Sequence, residues 1–233
     1  MTKLQTRISR RLQRWWNFRL IAWSVAGKSG IEIGGPSHEF SKAGLIPIYP
    51  LLGSLQTCNY TQRNLWSEDK VDHVHDATKL ESIEDGKYDF LLACHVLEHV
   101  ANPLKALKEW HRVLKPHGSL LLLLPDKNHT FDHRRPYTTF EHLKEDFERD
   151  TQEDDLTHLD EILSLHDLEK DPPAGTPVEF KERSLQNFKN RGLHHHVFDP
   201  RLLPGLFSFG GFRLLHESVA FPPNIIAFGH KHI

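Results

Sequence analysis

The sequence has little cysteine, little net charge and no long apolar run. Its two cysteines, Cys58 and Cys94, cannot build a disulfide framework. That excludes a disulfide-stapled secreted scaffold and suits a reducing, cytoplasmic setting. The formal net charge is only −2 across 233 residues, so nucleic acid is not an expected partner. No apolar stretch is long enough to span a bilayer. The segment WWNFRLIAWSVAG follows several arginines, but Arg19 interrupts it, and it does not read as a cleaved signal peptide.

What charge there is lies unevenly. Residues 1–28 hold seven Lys/Arg and no acid, whereas residues 141–171 hold thirteen Asp/Glu against three Lys/Arg. The first region predicts a basic helix over residues 4–25, with Trp15, Trp16, Phe18, Ile21 and Trp23. Such a helix packs its aromatics on the domain or meets an anionic membrane surface as a peripheral contact. The remainder, 29–233, reads as one domain carrying an acidic, His-bearing helical insertion at about 140–190.

From residue 30 to 125 strands alternate with helices, which predicts a mostly parallel α/β sheet. Gly30–Gly34 reads as a buried first strand ending at Gly34-Gly35-Pro36-Ser37, with Ser37 a candidate helix N-cap. Strands follow near Gln56–Thr61, Val71–His75, Tyr88–Cys94 and Ser119–Leu124. Between the last two, Leu104, Leu107, Trp110, Val113 and Leu114 recur at helical spacing. Two more strands, Phe212–Phe221 and Asn224–His230, close the chain around Pro222-Pro223.

A Gly-rich turn after a first strand lets backbone approach a cofactor. Here the turn lacks the third glycine of a dinucleotide fingerprint, and Pro36 removes a donor, so a pyrophosphate cradle fits poorly. Glu32 lies inside an apolar strand, where a carboxylate needs a partner: a cationic cofactor or a buried hydrogen bond. Asp76 follows the third strand and either accepts from an exocyclic amine or caps a helix. His95-Val96-Leu97-Glu98-His99 matches a zinc-protease pattern, but it starts at a strand end rather than inside a helix. It reads instead as the edge of a cofactor cleft.

Together these features resemble class I S-adenosylmethionine-dependent methyltransferases of the broad type that modifies small molecules and glycans. The resemblance covers roughly residues 29–126 and is densest over Tyr88–Asp126, where Arg112-Val113-Leu114-Lys115-Pro116-His117-Gly118 matches almost throughout. It implies a Rossmann-like, seven-stranded, mostly parallel sheet with helices on both faces and an antiparallel last strand. It implies S-adenosyl-L-methionine as cofactor. Glu32, Gly34 and Gly35, with Pro36, fall on the motif contacting the methionine part. Asp76, followed by Ala77, falls on the adenine-contacting position, and His95 falls beside the methyl donor. The acid expected to hold the ribose is missing, and Asn59 or Tyr60 stands about there.

The loop after the fifth strand should face the acceptor, a small molecule or glycan, because ligands of open α/β sheets bind beyond strand C-termini. It carries Asp126, His129, Asp132, His133, Arg134 and Arg135, and His194, His195 and His196 follow later. His129 is the first candidate base, with His133, His194 and His196 behind it. Asp126, Asp132, Arg134, Arg135 and His195 are candidate substrate contacts. A metal held by some of His129, Asp132, His133, His194 and His196 is an alternative, as is a purely structural role. With 18 histidines in the chain and no diagnostic spacing, no metal is assigned. Two other readings stay open: a nucleotide-sugar or NAD-linked Rossmann enzyme, and a degenerate methyltransferase fold acting as a scaffold.

Overall fold

The computed structural model describes residues 18–62, 70–220 and 224–232. Seven strands form one sheet: β1 (Ser29–Ile33), β2 (Ser54–Asn59), β3 (His73–Val74), β4 (Tyr88–Cys94), β5 (Leu114–Pro125), β6 (Phe212–Ala220) and β7 (Asn224–Lys231). Their order is β3-β2-β1-β4-β5-β7-β6. Neighbours from β3 to β5 run parallel, and β7 is antiparallel to both β5 and β6.

The central strands are apolar because both faces are covered. Alternation divides β4 between two cores. Leu91 and Ala93 join the larger one, and Phe90, Leu92 and Cys94 join the other. Over the larger core lie α2 (Pro103–Val113) and α7 (Leu203–Gly210). α2 buries Leu104, Leu107, Trp110 and Val113, the helical stripe of the sequence. Its start is fixed by Asn102, whose side chain accepts from the Lys105 N–H at 3.1 Å, with Pro103 at the first turn.

The second face is covered differently. A helix, α1, occupies residues 18–25 of the described chain and buries Ile21 and Val25. Trp23 is 77% exposed. Residues 4–17, the rest of the expected basic helix, lie outside the described residues. No α-helix follows β1: Ser37 precedes a single turn, His38–Phe40, and its side chain does not cap it. Pro47, Pro50 and a tight approach at Gly44 keep the segment irregular, and Phe40, Ile46 and Ile48 cover the sheet instead.

Between β5 and β6 lie α3 (Phe140–Glu148), α4 (Leu159–Leu165), α5 (Pro177–Ser184) and α6 (Asn187–Asn190). Ile162, Ala174, Phe180 and Leu193 give this region its own small core.

Candidate functional site

A cavity of about 670 Å³ opens beyond the C-terminal ends of β1, β2, β4 and β5, where such sheets bind ligands. Its walls come from the turn after β1, the strand ends, and insertion residues Glu153, Asp171, Arg183 and Arg191.

The turn is built by Glu32. This residue is fully buried, and its carboxyl accepts from Ser37 Oγ at 2.6 Å and Tyr49 Oη at 2.5 Å. Burial raises its pKa to about 7, against the opposing pull of those hydroxyls. Gly35 is required because a Cβ there would sit 2.2 Å from Glu32 Cδ. Gly34 has φ +78°, and a Cβ there would meet Val96 Cγ2 at 2.4 Å. Glu32 and Gly35, expected to contact cofactor, therefore do not line the cavity; they fold the loop that does. Gly34, Pro36 and Ser37 line it. The Gly34 N–H donates to the Cys58 carbonyl and the Ser37 N–H to Tyr49 Oη, while Pro36 has none. A phosphate would find few donors here.

At the other strand ends, Asn59, Tyr60, His75, Asp76 and Ala77 line the cavity. Asp76 is already engaged. One oxygen accepts from the Thr78 N–H and hydroxyl at 2.8 and 2.6 Å, and the other pairs with Arg191 at 3.0 Å. Arg191, in the left-handed region at φ +51°, also pairs with Glu153 at 2.6 Å. It ties the sheet edge to the insertion. With Arg183 3.4 Å from Asp171, Glu39 and Glu98 remain, among the described residues, lining acids with no Lys or Arg partner. Two acids without a cationic partner suit a cationic ligand, such as a sulfonium with an α-amino group, whose charge would favour their ionised forms.

His95 follows β4 with φ +52°, an uncommon conformation for a non-glycine residue, and Nε2 lies 2.6 Å from Asn224 Oδ1. Beyond it, Leu97–His99 forms one 3-10 turn, not the helix a zinc protease needs. Glu98 is completely buried, with neither carboxyl oxygen hydrogen-bonded. Burial raises its pKa and lowers that of His99. His99 Nδ1 lies 3.1 Å from the Leu193 carbonyl. His194 Nδ1 lies 2.5 Å from Asp132 Oδ2. Burial works against charge on His194, but Asp132 outweighs it and raises the pKa; Asp132 itself is held at about 2 despite its burial by His194 and Arg135. Glu98, His99 and His194 all line the cavity.

The remaining expected acceptor residues do not line it. His129 is exposed on the turn after β5, and Asp126 caps that turn through the Asn128 N–H. His133 is 2.8 Å from Asp167, and the exposed Arg134 is 3.4 Å from the same carboxylate. Arg135, 1% exposed, cannot grip a substrate: it binds Asp132, Glu161 and the carbonyls of His194 and His195. Asp132 stands behind His194. His195 Nε2 meets the Asn187 amide at 2.9 Å, and His196 Nε2 faces the Ala101 carbonyl at 3.2 Å. His194 lines the cavity, whereas His195 and His196 are held by protein groups, so strand-like alternation, which would put His194 and His196 on one face, does not describe this segment. A second histidine group joins His142 and His158 of the insertion to His196 beside Asp146.

Sequence reasoning passed over Glu153 and Arg191, and it placed Glu98 and His99 at the edge of a cofactor cleft without giving either a role. The signal for Glu98 was present: a carboxylate close to Val96, Leu97 and Val100 just past a strand end.

Residues 46–122 match the methyltransferase domain family. A comparison with curated proteins finds no match. Among solved structures, the fold is similar to an S-adenosylmethionine-dependent methyltransferase from Mesorhizobium loti, at 10% identity and TM-score 0.53, covering 94% of this chain and 97% of that one. It is also similar to a putative methyltransferase from Bacillus halodurans, at 12% identity and TM-score 0.50, covering 92% and 94%.

Proposed function

For a chain that carries a methyltransferase domain on the class I S-adenosylmethionine-dependent methyltransferase fold, we propose methyl transfer to a hydroxyl or amine of a small-molecule or glycan acceptor bound in the cavity. The observation that carries this reading is one cavity bringing together the Gly34–Ser37 turn, the Asn59 and Asp76 strand ends and the Glu98–His99–His194 group.

When bound, S-adenosylmethionine supplies a methyl group already activated on a cationic sulfur. The protein's work is alignment and exclusion of water. Gly34, Pro36 and Ser37 let backbone come close to the methionine part. The unpaired charge of Glu39 favours its cationic groups. Asp76, whose oxygens are held by Thr78 and Arg191, would lie beside the base, and Asn59 would hold the ribose diol. Pro36 and the engaged N–H groups disfavour a pyrophosphate, so the NAD-linked alternative loses support. On the acceptor side, His194 lines the cavity with its Nδ1 held by Asp132, which sets an imidazole where an acceptor would be activated.

Calorimetry with S-adenosylmethionine and S-adenosylhomocysteine tests the reading. Saturable binding of both, weakened by Asp76→Ala, is expected. Failure of both to bind at millimolar concentration overturns it. Binding with no turnover on a broad hydroxyl and amine panel would favour the scaffold alternative.

A further inference from the structure

We infer that Glu98, His99 and His194 form a divalent transition-metal site opening into the cavity, and that an oxygen of the acceptor completes its coordination.

One ligand atom from each of the three residues lies within 4.8 Å of the others. Glu98 is the decisive observation. Its side chain is 0% exposed, and both oxygens lack any hydrogen-bond partner. A carboxylate left so is costly unless a cation meets it. The two imidazoles are prepared as ligands. His99 presents Nδ1 to the Leu193 carbonyl and His194 presents Nδ1 to Asp132. Each thereby has Nε2 left over. Metal-bound histidines characteristically have their second nitrogen held by a carbonyl or carboxylate. Here both kinds of support occur, and Arg135 fixes Asp132 in turn at 3.0 Å. The rings stand edge to face, 4.6 Å between centroids.

Two imidazoles and one carboxylate suit zinc, iron(II), manganese or cobalt rather than calcium or magnesium. Three protein ligands leave positions open, as in reactive rather than structural sites. The open side is the cavity that all three residues line. This deepens the methyl-transfer reading and rests on it. It commits the acceptor to an oxygen nucleophile, since metal coordination lowers the pKa of a bound hydroxyl. The hydroxyl proton leaves to solvent. The oxygen then forms a bond to the methyl carbon as the carbon–sulfur bond breaks, and the sulfur keeps the electron pair as a thioether. His194 is then a ligand and not the base. The His142–His158–His196 group is the competing location, and it does not line the cavity.

The test is titration of Co²⁺, and separately Zn²⁺, into the chelator-stripped full chain. Cobalt is followed by its visible absorption and zinc by elemental analysis after dialysis. Uptake at this site is expected to vanish in Glu98→Gln, to weaken about 10–100-fold in Asp132→Asn, and to persist in His142→Ala. Glu98→Gln removes a buried charge without changing shape, so the metal-free variant should fold; circular dichroism checks this, and Asp132→Asn gives an independent arm. Two results overturn the inference: no uptake of either ion, or uptake that survives Glu98→Gln and disappears in His142→Ala. Neither readout involves S-adenosylmethionine. A chain that binds metal but no cofactor would sink the methyl-transfer reading, and the reverse would sink only the metal site.

Discussion

Replacing Glu32 by glutamine should change how stability depends on pH more than stability at any one pH. The carboxyl has an ordinary value of 4.5 and is raised to about 7 in the fold, mainly by burial. Between those values the folded chain binds more protons than the unfolded one. Stability from this group is therefore complete below pH 4.5, falls as pH rises, and has been lost above about 7. At roughly 1.4 kcal/mol per pH unit, that gap corresponds to about 3 kcal/mol. The amide in Glu32→Gln would keep an oxygen for Ser37 or Tyr49 but does not titrate in this range. Urea unfolding of both proteins at pH 5 and pH 8 isolates the effect, because other titrating groups cancel in the difference. The wild-type stability relative to the variant should decline by about 2.5 kcal/mol between the two conditions, because part of the effect is already lost at pH 5. A difference that is constant, or that grows toward pH 8, would refute the reasoning and mean that the two hydroxyls keep Glu32 ionised.

Three further outcomes follow from packing. Gly34→Ala forces a side chain into a left-handed conformation and against Val96, costing about 1–3 kcal/mol in chemical denaturation, and Val96→Ala in the same protein should recover part of the loss. Trp110→Phe keeps most of the buried ring but deletes the 2.9 Å bond from Nε1 to the Ala77 carbonyl; about 1 kcal/mol of stability should go, and calorimetry should show weaker S-adenosylmethionine binding as the turn carrying Asp76 loosens. Arg135→Met leaves buried Asp132 with one charged partner fewer and strips two carbonyls of their donor; a loss of about 3–5 kcal/mol is expected in urea unfolding, and a loss below about 1 kcal/mol would contradict the staple role.

The central β4–α2–β5 unit was legible because its causes are local. Continuous apolar strands, a 3.6-residue stripe and a Pro-started helix each leave a pattern in a short window. The helix expected after β1 was not legible as missing, because its replacement depends on Ser37 turning back to Glu32 and on Tyr49 reaching the same carboxyl. The acceptor side was legible only as a crowd of polar residues. Which histidine faces the cavity is decided by Asp132, Asn187 and the Ala101 carbonyl, partners supplied by other segments of the chain. Arg135 looked like a substrate grip because a sequence does not reveal that a guanidinium is sealed among carbonyls.

The strand order carries a consequence for biogenesis. β5 pairs along one edge with β7, whose residues leave the ribosome about a hundred positions later. Until then the apolar edge of β5 is an open template for another chain. Synthesis at about 5–20 residues per second leaves that edge unprotected for about 5–20 seconds. The acidic insertion emerges during this interval, and its charge would discourage self-association of nascent chains. Docking of β7 also delivers Asn224 to His95. The cleft is thus finished by the last strand to arrive, and truncated products should neither pair correctly nor assemble it.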